Sequence, residues 1–196
     1  MNILEEKNRL RAEYKAKRRA ISNEQKAEYD NAICKKVTEL ASYRYSTIIL
    51  AYAHLADEID ITPIILDALT KGKKVAFPRC DTQSNTMTYH FINNLEELEA
   101  GAMGIYEPHA DAPVCNIKSF ENELVICFIP ALLYDKDGYR LGYGKGYYDR
   151  FLQNYKGSKI GLIYSDFIIP CVPKGKYDLS ADVLITEKGV KPINAN

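Results

Sequence analysis

The stretch from Leu124 to Asn154 constrains this chain more than any other. It opens on Leu124–Ile129, "LVICFI", six uncharged apolar residues. Such a run reads as a strand buried on both faces, as in the interior of a parallel sheet. Four glycines then fall within nine residues, at Gly138, Gly142, Gly144 and Gly146. An amphipathic stretch predicted to be helical follows, from Gly146 to Asn154. Buried strand, glycine loop and helix in that order commit the surrounding chain to an α/β architecture.

The flanking sequence agrees. The first forty residues read as helix, with Ser22 and Gln25 at capping-box spacing and Tyr29, Ala32, Ile33, Val37, Leu40 and Ala41 on one helical face. Thr47–Ala53 reads as a second buried strand. Thr62 as N-cap, Pro63 behind it and Gly72 at the end bound another helix. Lys74–Phe77 is predicted as a strand stopped by Pro78, Met87–Phe91 as a short strand, and Leu95–Ala100 as a short helix ending at Gly101. Residues 101–121 read as irregular. Lys159–Tyr164 and Val183–Thr186 complete the strands. Alternating strands and helices imply a mostly parallel sheet with helices on both faces. No repeat, linker or boundary divides residues 1–196, so one domain is expected.

The glycine loop is where chemistry concentrates. Glycine lets backbone approach a ligand closely, and a helix N-terminus adds free N–H groups and positive dipole. Lys145 inside the loop and Arg140 at its shoulder can neutralise phosphate oxygens. The pattern is not a Walker A loop, because Gly146 rather than Ser or Thr follows Lys145. It is not a dinucleotide fingerprint either, because Tyr147 occupies the third glycine position. The glycines can also serve turns alone. Asp149, in the helix's first turn, can ligate a hard cation or simply offset the helix dipole.

Charge and cysteine usage narrow the function classes. The 196 residues carry 26 Lys+Arg against 26 Asp+Glu, which argues against a bulk polyanion as partner. Residues 7–19 nevertheless carry a net +6, from seven basic groups and Glu13. A basic helix can be an RNA-contacting surface, but aromatic stacking residues are sparse there and nucleic acid is not expected. Five cysteines without a CxxC pair point to free thiols in a reducing compartment. His54, His90 and His109 share no metal-ligand spacing, although His54 lies near enough to Glu58 to line a common site. The N-terminal stretch is too charged for a secretory signal, and Glu5, Glu6 and Glu13 speak against an organelle presequence. The longest uncharged apolar run, Leu124–Tyr134, is shorter than the ~20 residues of a membrane helix. A soluble, cytoplasmic monomer is expected.

"RLGYGKGYYDRFL" (140–152) closely resembles the signature of the 5-formyltetrahydrofolate cyclo-ligases, also called methenyltetrahydrofolate synthetases. "KNRLR" (7–11), "DEIDITPII" (57–65), "GKKVAFPR" (72–79), "MTYHF" (87–91), "GIYEP" (104–108) and "YDLSADVLITEKG" (177–189) resemble the family's other blocks in the same order. The resemblance implies a Rossmann-like three-layer sandwich. It also implies closure of 5-formyltetrahydrofolate to 5,10-methenyltetrahydrofolate with ATP and Mg²⁺, releasing ADP and phosphate. Phosphoryl transfer to the formyl oxygen would give an iminophosphate whose carbon N10 attacks. Positioning and charge neutralisation suffice for such a transfer, so no side-chain nucleophile is needed.

Matched residue by residue, the family's ATP contacts fall on Lys7, Arg11, Arg140, Leu141, Gly142, Tyr143, Gly144, Lys145, Gly146, Tyr147, Tyr148 and Asp149. Lys145 and Arg140 are the expected catalytic cations, and Asp149 and Asp182 match the metal-linked carboxylates. Glu58 matches the acidic residue near the pterin, while Ala53, Met87, Tyr147 and Tyr148 are expected as walls. The sequence departs from the family at Tyr143, often arginine, and at Tyr177, often histidine. "YSDFIIPCVP" also lacks a glutamine usual there. A divergent, non-catalytic ATP- and folate-binding module is the alternative reading.

Overall fold

The structure is a computed structural model that describes residues 2–101, 104–120, 122–175 and 178–193. The first helix, α1 (Ile3–Arg19), is fixed at its start by a capping box. Asn2 accepts the Leu4 N–H and Glu5 accepts the Asn2 N–H, while Lys17, Arg18 and Arg19 fill the last turn. Acidic groups at the start and basic ones at the end suit the helix dipole. Ser22 then caps α2 (Asn23–Glu39) by accepting the Gln25 N–H, at the expected spacing. Helix α3 (Ala41–Tyr45) leads into strand β1 (Ile48–Leu50), and helix α4 (Thr62–Thr70) follows. Thr62 is the first residue of α4 rather than its N-cap, which is Ile61, and the Asp60 side chain accepts the Thr62 N–H at 2.8 Å.

Strand β2 (Lys74–Asp81) runs straight through Pro78, which the sequence reading made its stop. The neighbour β1 ends at the Leu50–Ala76 pair, so on that side no partner requires the N–H that proline lacks. Strand β3 (Thr86–Ile92) returns antiparallel beside β2. The expected helix at 95–100 is instead a single 3₁₀ turn at Leu95–Glu97, followed by β4 (Leu98–Ala100). That strand pairs with β5 (Tyr106–Pro108) inside the stretch read as irregular. Six residues cannot repay helix nucleation alone, and the available strand partner decides the outcome.

Strand β6 (Val125–Ile129) is fully buried, as its composition requires. A hairpin the sequence reading missed follows, β7 (Leu133–Asp135) and β8 (Arg140–Leu141), and then α5 (Tyr147–Leu152), shorter than predicted. The chain finishes with β9 (Ser158–Leu162), β10 (Ile168–Ile169), β11 (Val183–Thr186) and an unpredicted edge strand, β12 (Gly189–Pro192).

Seven strands form the main sheet, in the order β12-β11-β9-β6-β1-β2-β3. The five central strands are parallel and each edge strand is antiparallel to its neighbour. The strands' period of two splits their side chains between two cores. Ile49, Val75, Ile126, Phe128 and Ile160 face the helices α1, α2 and α4. Ile48, Leu50, Ala76, Val125 and Cys127 face α5 and the 3₁₀ turn at Ile117–Phe120. Helices therefore lie on both faces, but very unequally.

Candidate functional site

In an open α/β sheet, ligands collect where the parallel strands end. The loop after β1 carries Ala53 and Glu58, and the stretch after β6 leads through the hairpin into the glycine loop. Met87 enters beside them because β3 begins where β2 ends.

Helix α1 closes over the glycine loop. Leu10 and Tyr14 bury its inner face, with the Tyr14 ring edge-on to Phe167 at 5.7 Å. That anchoring lets Arg11 Nε donate to the Gly142 carbonyl at 3.0 Å. A Cβ on Gly144, whose φ is +99°, would lie 3.2 Å from Arg11 Cζ. One turn earlier, Lys7 Nζ contacts an Asp178 carboxylate oxygen at 2.7 Å. Burial raises the Asp178 carboxyl, but the Lys7 bond, the Gly175 N–H and the nearby Arg140 charge outweigh it and hold it below the usual range.

Arg140 is almost wholly buried. It bonds the Asp149 carboxylate and donates to the Leu179 carbonyl at 2.9 Å, so it stands between Asp149 and the residue following Asp178. The Lys145 side chain is exposed, and its ammonium makes no hydrogen bond or ion pair among the described residues. Leu141 is buried in the core and contributes backbone only. Tyr147 is buried against α5's sheet face, with Tyr148 packed beside it. The Tyr148 hydroxyl is buried without a hydrogen-bond partner among the described residues, an arrangement costly unless a ligand satisfies it.

Glu58 is 5% exposed and accepts the Leu55 N–H at 2.9 Å. Burial raises its carboxyl above the ordinary range, against the opposing pull of that bond and of Arg18. Arg18 donates to the carbonyls of Asp57 at 2.9 Å and Ala131 at 2.6 Å, tying the loop after β1 to the end of β6. Tyr143 leans off the glycine loop toward this acidic pair, its hydroxyl 3.4 Å from Asp57 Oδ1 and Lys15 Nζ 5.0 Å from its ring centre. Ala53 packs against the larger core and Met87 against the smaller one.

Asp182 stands apart. It immediately precedes β11, and its carboxylate is held by the Lys159 ammonium at 2.8 Å and the Lys159 N–H at 2.7 Å. Parallel β11 starts at the edge of the sheet opposite the one where β1 and β6 end. Besides Asp149 on Arg140, the carboxylate held by these cations is Asp178 on Lys7, which sequence reasoning did not single out. Its signal is contact with α1 across 171 residues of sequence, which no local pattern carries. Tyr177, the noted departure, lies outside the described residues. No group of three or more His, Cys, Asp or Glu side chains forms a ready metal cage among the described residues.

The basic row on α1 is no open patch either. Arg9 pairs with Glu6 and Glu13, Lys17 with Glu13, and Arg18 is buried. No helix among the described residues is long and apolar enough to cross a membrane.

Residues 3–187 match the 5-formyltetrahydrofolate cyclo-ligase family. The chain belongs to this family. A 5-formyltetrahydrofolate cyclo-ligase from Mus musculus is 32% identical over 187 residues, covering 91% of this chain and 92% of that protein. Among solved structures, the Aquifex aeolicus 5,10-methenyltetrahydrofolate synthetase superposes with a TM-score of 0.81 at 30% identity, covering 97% of this chain and 94% of the other. The Mycoplasma pneumoniae 5,10-methenyltetrahydrofolate synthetase shares the fold, with a TM-score of 0.73 at 23% identity over 92% and 98% of the two chains. Family membership accounts for the mostly parallel, helix-flanked sheet and for the order of the sequence blocks.

Proposed function

We propose that this chain closes 5-formyltetrahydrofolate to 5,10-methenyltetrahydrofolate at the expense of ATP. The observation that supports this best is the closure of α1 over the glycine loop. It gathers Lys7 and Arg11 around the backbone that carries Lys145, with Arg140 behind, and such a set of cations suits a polyphosphate. Lys7 is paired with Asp178 and Arg140 with Asp149. Triphosphate oxygens take over both cations and release both carboxylates. Asp149 and Asp178 would then hold Mg²⁺, which commonly binds through one or two carboxylates together with substrate phosphates. Bound there, the ion supplies charge neutralisation across the phosphates. Asp178 takes the place that the resemblance gave to Asp182.

On the folate side, Glu58 accepts the paired N–H groups of the pterin, and the unpartnered Tyr148 hydroxyl gains a partner from the same ligand. Tyr147 and Met87 supply flat apolar contact. The formyl oxygen takes the γ-phosphoryl group with Lys145 and Arg140 neutralising the transferred charge, and ADP leaves. N10 then attacks the formyl carbon, loses its proton, and inorganic phosphate departs with the former formyl oxygen. Each step needs placement and positive charge rather than a protein nucleophile.

Purified protein mixed with 5-formyltetrahydrofolate and Mg-ATP is expected to develop the near-ultraviolet absorbance of the methenyl product. Lys145→Ala is expected to lower kcat by at least about a hundredfold, on the scale of a lost transition-state charge contact, with unchanged circular dichroism. No ATP-dependent signal from the wild-type protein overturns the proposal.

A further inference from the structure

We propose that Arg150 is a positioning residue for the nucleotide: its guanidinium straps the glycine loop to the β2–β3 turn and so fixes where Lys145 stands. One nitrogen, Nη1, donates to the Lys145 carbonyl and to the Asn85 carbonyl, each at 2.9 Å. The same nitrogen lies 3.2 Å from where a Cβ on Gly146 would sit, so the guanidinium is packed directly against the loop. A loop with this many glycines has little stiffness of its own and loses more conformational entropy on ordering than other sequences. A charged donor shared by two carbonyls offsets that cost before the nucleotide arrives, which is preorganisation in the ordinary sense.

The far end of the strap is built to receive it. Asn85 is the one non-glycine residue with positive φ among the described residues, at +53°. The turn around it is ordered by Asp81, which accepts the Gln83 N–H at 2.8 Å and the Ser84 hydroxyl at 2.7 Å. Ser84 and Thr86 share a further hydroxyl contact at 2.7 Å. The Asn85 carbonyl is thereby held out toward Arg150. Met87, an expected folate wall, lies two residues further on, so the strap joins the folate-side strand β3 to the phosphate side of the site. The inference rests on the nucleotide half of the proposed function, and its direct test, nucleotide binding, needs no folate turnover.

Calorimetric titration with Mg-ADP is the direct test. Arg150→Ala is expected to weaken Mg-ADP binding about tenfold, the size of one lost charged hydrogen bond, and to raise the KM for Mg-ATP by a similar factor. The kcat should fall as well, because the same strap places Lys145, whereas the KM for 5-formyltetrahydrofolate should change much less. Arg150→Lys keeps a cationic donor within reach of both carbonyls and is expected to recover most of the lost affinity. A purely structural role for Arg150 would lower the melting temperature and leave Mg-ADP affinity at the wild-type value, and that result overturns the proposal. The cyclo-ligase reading fails on a different readout, absence of methenyl product from a wild-type protein that binds Mg-ADP.

Discussion

At Glu58, burial and function pull against each other. Its carboxyl is raised by desolvation, and Arg18, the nearby cation, spends its donors on two backbone carbonyls. The folded state therefore keeps the Glu58 proton to higher pH than the unfolded chain does. Linkage then makes this group's contribution to stability fall as pH rises from the ordinary carboxylate range through the raised folded value. The proposed folate recognition runs the other way, because only the ionised form accepts a pair of N–H bonds. Glu58→Gln is expected to unfold at the same or a higher temperature at neutral pH, while the KM for 5-formyltetrahydrofolate rises about tenfold or more, as for loss of one charged hydrogen bond. An unchanged folate KM would remove Glu58 from the site. In the wild-type protein, folate KM should fall as pH rises through the Glu58 titration. At this scale the glycine loop was legible in sequence because glycine spacing is local. Asp178 was not, because its importance comes from Lys7 at the other end of the chain.

Among the elements, α1 and the glycine loop depend on each other. Gly144 has φ +99° and faces the Arg11 guanidinium, so a side chain there meets both backbone strain and a neighbour at 3.2 Å. Gly144→Ala is expected to raise the KM for Mg-ATP about tenfold, the equivalent of roughly 1.4 kcal/mol. Its melting temperature should fall by no more than a few degrees, since the loop is exposed. Steady-state kinetics beside a thermal melt separate the two effects. Where an element's sequence carries its own reason, the reading succeeded: Val183–Thr186 was predicted to the residue, and β6 to within one. The hairpin of β7 and β8 was hidden because its turn residues belong to the same glycine-rich run that draws the eye to a ligand loop. Asp135, fully buried, organises that turn by accepting the Asp137 and Tyr139 N–H groups. Strand β12, "GVKP", has no apolar alternation and exists only because β11 offers an edge.

Across the whole molecule, the two faces of the sheet carry unequal cover, and the more heavily covered side leaves no room at Gly161. A Cβ on Gly161 in β9 would lie 2.6 Å from Tyr134 Cζ and 2.7 Å from Leu184 Cδ2. Tyr134 is fully buried with its hydroxyl bonded to the Ile129 carbonyl at 2.9 Å, so it cannot swing aside cheaply. Gly161→Ala is expected to cost about 1–3 kcal/mol in urea unfolding, the usual price of overpacking a core. Wild-type stability in that variant would show that the sheet can shift to admit the methyl. The contact of Lys7 with Asp178 joins positions 171 residues apart. It has a consequence in the order of synthesis. The ribosome makes the basic helix long before the carboxylate that neutralises Lys7. On the proposed function, a growing chain thus holds Lys7 and Arg11 long before Arg140 and Lys145 join them, and Lys7 meets its carboxylate only after Asp178 emerges.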